Sequence, residues 1–108
     1  MFYGNADAEP IEMLPGLTRR VLASSDVMMV VEFTFAKGVE VPQHTHPHDQ
    51  VGYVVSGHMR MTIGEQTAEC NSGDSYHAPP DVPHSGVALE PSVVVDVFSP
   101  PREDYRCA

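Results

Sequence analysis

The sequence predicts an all-β fold, a sandwich or barrel built from one domain. Three observations carry this expectation. Roughly eight or nine short segments rich in β-branched and aromatic residues recur at regular spacing. Glycine, proline and asparagine punctuate them as turn signals, and no stretch shows the apolar spacing of an amphipathic helix. Short strands separated by turns bury their apolar faces by packing sheet on sheet or closing into a barrel. At 108 residues the chain has material for one core and is not to be subdivided.

Taken in order, residues 1–15 are acidic and broken by proline, and are expected to form an N-terminal arm with room for a short turn. Leu17–Ala23 is a candidate first strand. Val27–Phe35, reading VMMVVEFTF, has strand composition without helical spacing and ends at Lys37-Gly38; Gly38–Pro42 reads as a turn. Gln50–Val55 is the next strand, closed by Ser56-Gly57. His58–Ile63 alternates His58, Arg60 and Thr62 with Met59, Met61 and Ile63, the period-2 signature of a half-buried strand. Gly64-Glu65 turns it into Gln66–Cys70, and Asn71–Asp74 is a further turn. Short strands are predicted at Ser75–Ala78, Ser85–Leu89 and Val93–Phe98, with residues 99–108 as a C-terminal tail. Most of the ten prolines fall at the boundaries of these segments, as a sheet requires.

Composition excludes some classes of partner. With 15 acidic against 6 basic residues the formal charge is -9, which argues against nucleic acid or an anionic membrane. The opening MFYGNADAEP has no basic and apolar leader, and no apolar run approaches a membrane span, so a cytoplasmic setting is expected. Cys70 and Cys107 are too few for a disulfide framework and read as unpaired thiols. Small size and exposed sheet edges favour a homodimer.

The most informative stretch is Gln43–Gln50, QHTHPHDQ. On an extended strand His44 and His46, two apart, face one side. Imidazoles that face inward need a partner for their lone pairs, and a metal ion serves both. The spacing Gly38, five residues, His44, one, His46, three, Gln50, six, Gly57 resembles the first cupin motif, with glutamine in the usual place of glutamate. Gly73, five residues, Pro79, then His84 after four more resembles the second, with Asp81 in place of glycine and Ala88 where asparagine is common. Residues 1–108 are therefore identified as a single cupin domain, with the resemblance running from about Val27 to Phe98. The resemblance implies a double-stranded β-helix, a small jelly-roll barrel. It also implies one divalent metal cation held by His44, His46, Gln50 and His84.

A ligand set without a carboxylate leaves the ion its full charge, which favours Lewis-acid polarisation over redox chemistry. The alternative for Gln50 is a place outside the ligand set, with three histidines holding the ion. Three other histidines remain. His48 and His58 are expected at the surface, and either His77 or its neighbour Tyr76 faces the interior.

The C-terminal segment VVVDVFSPPREDY is the second informative stretch. Alternation puts Asp96 and Phe98 on one face and Val93, Val95 and Val97 on the other. Whether Asp96 faces core or solvent is open from alternation alone. A carboxylate within an apolar strand is costly unless paired or functional.

HTHPHDQ together with DVFSPPREDY resembles the KdgF family of cupins, over nearly the whole chain. Those are small enzymes of pectin and alginate breakdown that linearise 4,5-unsaturated uronates. The resemblance implies that Asp96, Phe98 and Arg102 belong to the active site and that Gln50 is the expected ligand. It implies an isomerase-type reaction, ring opening and tautomerisation of a small anionic sugar. Arg60 is a candidate second cation if its strand face lines the cavity. Other expectations are a cupin acting as a small-carboxylate lyase or iron dioxygenase, or a sugar-acid-binding module without catalysis. Spacing does not choose among nickel, zinc, manganese and iron, nor between pectin-derived and alginate-derived substrate.

Overall fold

A computed structural model describes residues 1–106, which form ten strands, a 3-10 turn at Asn5–Asp7 in the N-terminal arm and one short helix. In chain order these are β1 (Ile11–Leu14), β2 (Leu17–Ser24), β3 (Met29–Phe35), β4 (Glu40–His44), β5 (Asp49–Ser56), β6 (His58–Ile63), β7 (Gln66–Asn71), β8 (Ser75–Ala78), β9 (His84–Ala88), β10 (Ser92–Ser99) and α1 (Glu103–Arg106). They make a six-stranded sheet in the order β1-β2-β3-β10-β5-β8 and a four-stranded sheet in the order β4-β9-β6-β7. All pairings are antiparallel. The crossovers from β3 to β10 and from β4 to β9 are those of a jelly roll, so the expected all-β barrel is the fold observed.

The inward positions of both sheets share one core. Met29, Val31, Val54, Val94 and Phe98 come from the larger sheet, and Met59, Met61, Cys70 and Ala88 from the smaller. In β6, Met59 and Met61 are buried while Arg60 is exposed, as the alternation requires. Arg60 therefore does not line the cavity. Cys70 is buried and unpaired, and Cys107 lies outside the described residues.

Three expectations are corrected. The second half of the N-terminal arm is a strand: a turn with Gly16 at φ 86° folds β1 onto β2 as the edge strand of the larger sheet, and Leu14 packs against the core. The segment after Gly38 is β4 rather than a turn. It lies at the edge of its sheet, where Pro42 needs no ladder partner for a missing N–H, and its register shifts between Val41 and His44. The C-terminal tail is packed down: Pro101 is buried, and the Tyr105 ring meets Phe98 edge-on at 5.9 Å and Phe33 at 6.3 Å.

Two turns explain motif positions. Gly57 has φ 95°, and a Cβ there would collide with Pro91 O and Ser92. Asp81 has φ 64°, a left-handed conformation that aspartate tolerates better than most residues, and its N–H donates to His46 O at 2.9 Å. A backbone of this kind accounts for the glycine usual at that position.

Candidate active site and metal centre

β4 ends at His44, which pairs in register with His84 at the start of β9. His46 follows in the connection to β5, and Gln50 is the second residue of β5. The rings of His44 and His84 are 4.2 Å apart between centroids, those of His46 and His84 4.8 Å, and those of His44 and His46 5.7 Å. One ring nitrogen from each can be chosen so that all three lie within 4.8 Å of one another.

The other ring nitrogens explain why. His44 Nδ1 lies 2.9 Å from Pro42 O, His84 Nδ1 2.9 Å from Val82 O and His46 Nδ1 3.2 Å from His48 O. A carbonyl accepts only, so each Nδ1 carries the proton and each Nε2 presents a lone pair. His84 Nε2 is buried with no hydrogen-bond partner. His46 Nε2 lies 2.9 Å from Gln50 Oε1, although the Gln50 side chain also bonds to Asp96 and so commits its amide nitrogen there. Two acceptors at that distance repel unless a cation is shared between them. Ligands at ~2.1 Å and a right angle on one ion stand ~3 Å apart. The three imidazoles therefore fit a metal ion, and Gln50 Oε1 stands beside the His46 lone pair. Burial is the main cause that pushes the His46 and His84 pKa values down, keeping both in the neutral form that ligates.

Asp96 sits inside the barrel, 4 % exposed, which settles the question left open by the alternation. Tyr76 on β8, Gly52 on β5 and Asp96 on β10 form one cross-strand row. Because Gly52 has no side chain, the Tyr76 hydroxyl passes over it and donates to Asp96 Oδ1 at 2.6 Å. A Cβ at Gly52 would collide with both partners. Burial raises the Asp96 pKa from 3.8 to about 7, against the opposing pull of its hydrogen bonds to Tyr76 and Gln50.

Between those two values the folded chain keeps a proton that the unfolded chain releases. The contribution of Asp96 to stability is therefore greatest below about pH 4, falls as pH rises to about 7 and is constant above that. The total loss is on the order of 2 to 4 kcal/mol. In metal-stripped protein, Asp96→Asn is expected to raise the urea midpoint at about pH 7.5 and to leave it near the parent value at about pH 4. Equal effects of the substitution at both pH values would contradict this reading of Asp96.

A cavity of about 410 Å³ joins these groups, lined by His44, Gln50, His84, Tyr76 and Asp96 at one part and by Arg19, Arg102 and Tyr105 at another. Phe98, 1 % exposed, forms an apolar wall, edge-on to His46 at 5.8 Å. The Arg102 guanidinium lies 5.2 Å from the Phe98 ring centre and 4.4 Å from that of Tyr105. Asp104 holds it from one side: Nε donates to Oδ1 at 3.1 Å and Nη2 to Oδ2 at 3.0 Å.

Asp96, Phe98, Arg102, His44, Gln50 and His84 thus share one cavity wall, and His46 packs edge-on against His84 and Phe98. His48, expected at the surface, is half-buried, packed edge-on against His46 and Phe98. His77 points outward and pairs with Asp49 at 2.7 Å, so Tyr76 is the interior member of that pair. His58, expected in solvent, is half-buried with Nε2 2.8 Å from Glu69. Sequence reasoning missed Tyr105 and Arg19; parity in Arg19-Arg20 signals that one arginine faces inward without saying which.

The cupin domain family matches residues 31–98. The pectin degradation protein KdgF of Dickeya dadantii is 38% identical over 102 residues, 92% of this chain and 93% of that protein. The solved structure of KdgF from Halomonas sp. superposes with a TM-score of 0.93 at 36% identity, over 97% of each chain. The chain is a cupin of the KdgF family. An RmlC-like cupin from Shewanella frigidimarina superposes comparably, with a TM-score of 0.92 at 35% identity over 96% of this chain and 94% of that one. In this KdgF-family cupin the domain match runs from β3 to Phe98, and so spans all four candidate ligands and Asp96. Arg19, Arg102 and Tyr105, which shape the other part of the cavity, lie outside it.

Proposed function

We propose that this chain converts 4,5-unsaturated monouronates, released by pectin or alginate lyases, into linear keto acids. The observation that carries the reading is a buried carboxyl, Asp96, facing the same cavity as a convergent, uncharged His/Gln set in a KdgF-family barrel. The substrate is a cyclic enol ether bearing a carboxylate. Ring opening removes the proton of the anomeric hydroxyl, forms the C1 carbonyl and breaks the bond from C1 to the ring oxygen, whose electron pair becomes an enolate. Protonation at C4 then gives the ketone, with no net change in atoms or oxidation state.

Asp96 is the group for both proton transfers. A pKa of about 7 lets it accept and return a proton near neutral pH. Tyr76 fixes the carboxyl's orientation through Oδ1. A divalent nickel, zinc, manganese or iron ion held by His44, His46, Gln50 and His84 supplies Lewis-acid stabilisation of an oxyanion when bound. Phe98 provides the apolar face that excludes water beside the sugar ring.

Arg102 binds the substrate carboxylate. Its Nε and Nη2 are already held by Asp104, so the free Nη1 edge receives the ligand. Arg102→Ala is expected to raise KM by about ten- to a hundredfold with a smaller change in kcat, read from initial rates across substrate concentration. An unchanged KM would remove Arg102 from the binding site. The reaction itself is tested by NMR of the products: a linear α-keto acid is expected, and recovery of unreacted pyranose refutes the proposal.

We also propose that the chain works in the cytoplasm as a homodimer. The outer face of the large sheet carries Val51, Tyr53 and Val55, each 45–50% exposed, beside half-buried Val93, Val95 and Val97. Sedimentation velocity is expected to give twice the chain mass, and a monomer at all concentrations rules the dimer out. Among the described residues no helix is long and apolar enough to cross a membrane.

A further inference from the structure

The cavity has a second cation that no sequence motif marks. Arg19 lies on β2, opposite Phe33 of β3, and lines the same cavity as Asp96 and the histidines. Its guanidinium carbon stands 4.4 Å from the centre of the Tyr105 ring, the same distance as that of Arg102. The two guanidinium groups thus share one phenol ring as platform and lie within twice that distance of each other. Their electrostatic situations differ. Arg102 is bound twice by Asp104. Arg19 has no ion-pair partner among the described residues, and its Nε is buried with no hydrogen-bond partner.

A half-buried guanidinium without a counter-charge is unusual, the more so in a chain with 15 acidic residues. Arg19 lines the cavity proposed to take an anion, while Arg102 gives two of its N–H donors to Asp104. We propose that Arg19 is a specificity-determining residue, the second guanidinium that binds the carboxylate of the substrate, beside Arg102 over the Tyr105 ring. The inference rests on the uronate reading above. It replaces Arg60, which the fold turns away, as the cation that offsets the repulsion of an anion by a chain of charge -9.

The test separates the carboxylate from the rest of the sugar. Metal-loaded protein is titrated calorimetrically with galacturonate, which carries the carboxylate but has no double bond to react, and with galactose, which lacks the charge. Arg19→Gln keeps a polar side chain and removes the charge; its melting temperature checks that the fold is kept. Galacturonate affinity is expected to fall about tenfold or more in Arg19→Gln, with partial recovery in Arg19→Lys and no change for galactose. In turnover of the unsaturated uronate the same variant raises KM by a similar factor and leaves kcat within about twofold. Galacturonate binding that is absent in the parent, unaltered in Arg19→Gln, or lost in step with galactose overturns the proposal. Failure of the parent to turn over the unsaturated uronate refutes the reaction, while the binding comparison still decides the role of Arg19.

Discussion

Asp96→Asn is expected to lower turnover of an unsaturated monouronate by about two to four orders of magnitude, the value of a positioned general acid or base. Asparagine fits the same space and accepts the Tyr76 hydroxyl bond, so the barrel is retained. What it loses is the exchangeable proton. The three imidazoles keep their Nδ1 bonds to Pro42, His48 and Val82, and metal content at saturating metal stays at the parent value. Initial rates and elemental analysis on one preparation measure both. A rate within about threefold of the parent would show that the proton moves elsewhere. Combined with the gain in stability expected at neutral pH, this substitution separates the cost of burying Asp96 from its use.

His84→Ala is expected to have the largest effect on the metal. His84 is 3 % exposed, its Nδ1 is fixed by Val82 O and its Nε2 has nothing else to bind. Losing an outer-shell partner costs roughly 10- to 100-fold in metal affinity, and removing a ligand costs more. The variant should leave a desalting column without bound metal and turn over substrate at background rate. Added metal should raise the melting temperature of the parent and leave that of the variant unchanged. Parent-like metal content in His84→Ala would mean that the ion is held elsewhere.

Much of this site was legible because strand parity and motif spacing are local. β6 and β8 match their expected bounds, since His58–Ile63 alternates without interruption and Ser75–Ala78 is bracketed by a turn and Pro79. Asp96 and Phe98 share a face for the same reason. The choice between faces was not local: it depends on the neighbours of β10, where β5 contributes Gly52 in register with Asp96 and leaves room for Tyr76. Tyr76 itself was one of two candidates until β8 was paired. β1 escaped because four residues between prolines carry too little periodicity, and only pairing with β2 makes IEML a strand. Arg19, outside every motif, enters the site from β2, and Tyr105, the last residue of DVFSPPREDY, enters through long-range packing of a one-turn helix.

The proposed reaction asks an uncharged His/Gln metal set and one buried aspartate to linearise an enol sugar. The most direct measurement is the ultraviolet absorbance of the conjugated double bond of a 4,5-unsaturated monouronate, followed with metal-loaded protein, with chelator-stripped protein and with no protein. Rapid loss of absorbance is expected only with the metal-loaded protein, with recovery of that rate on adding metal back. An absorbance that decays no faster than the protein-free control would contradict it.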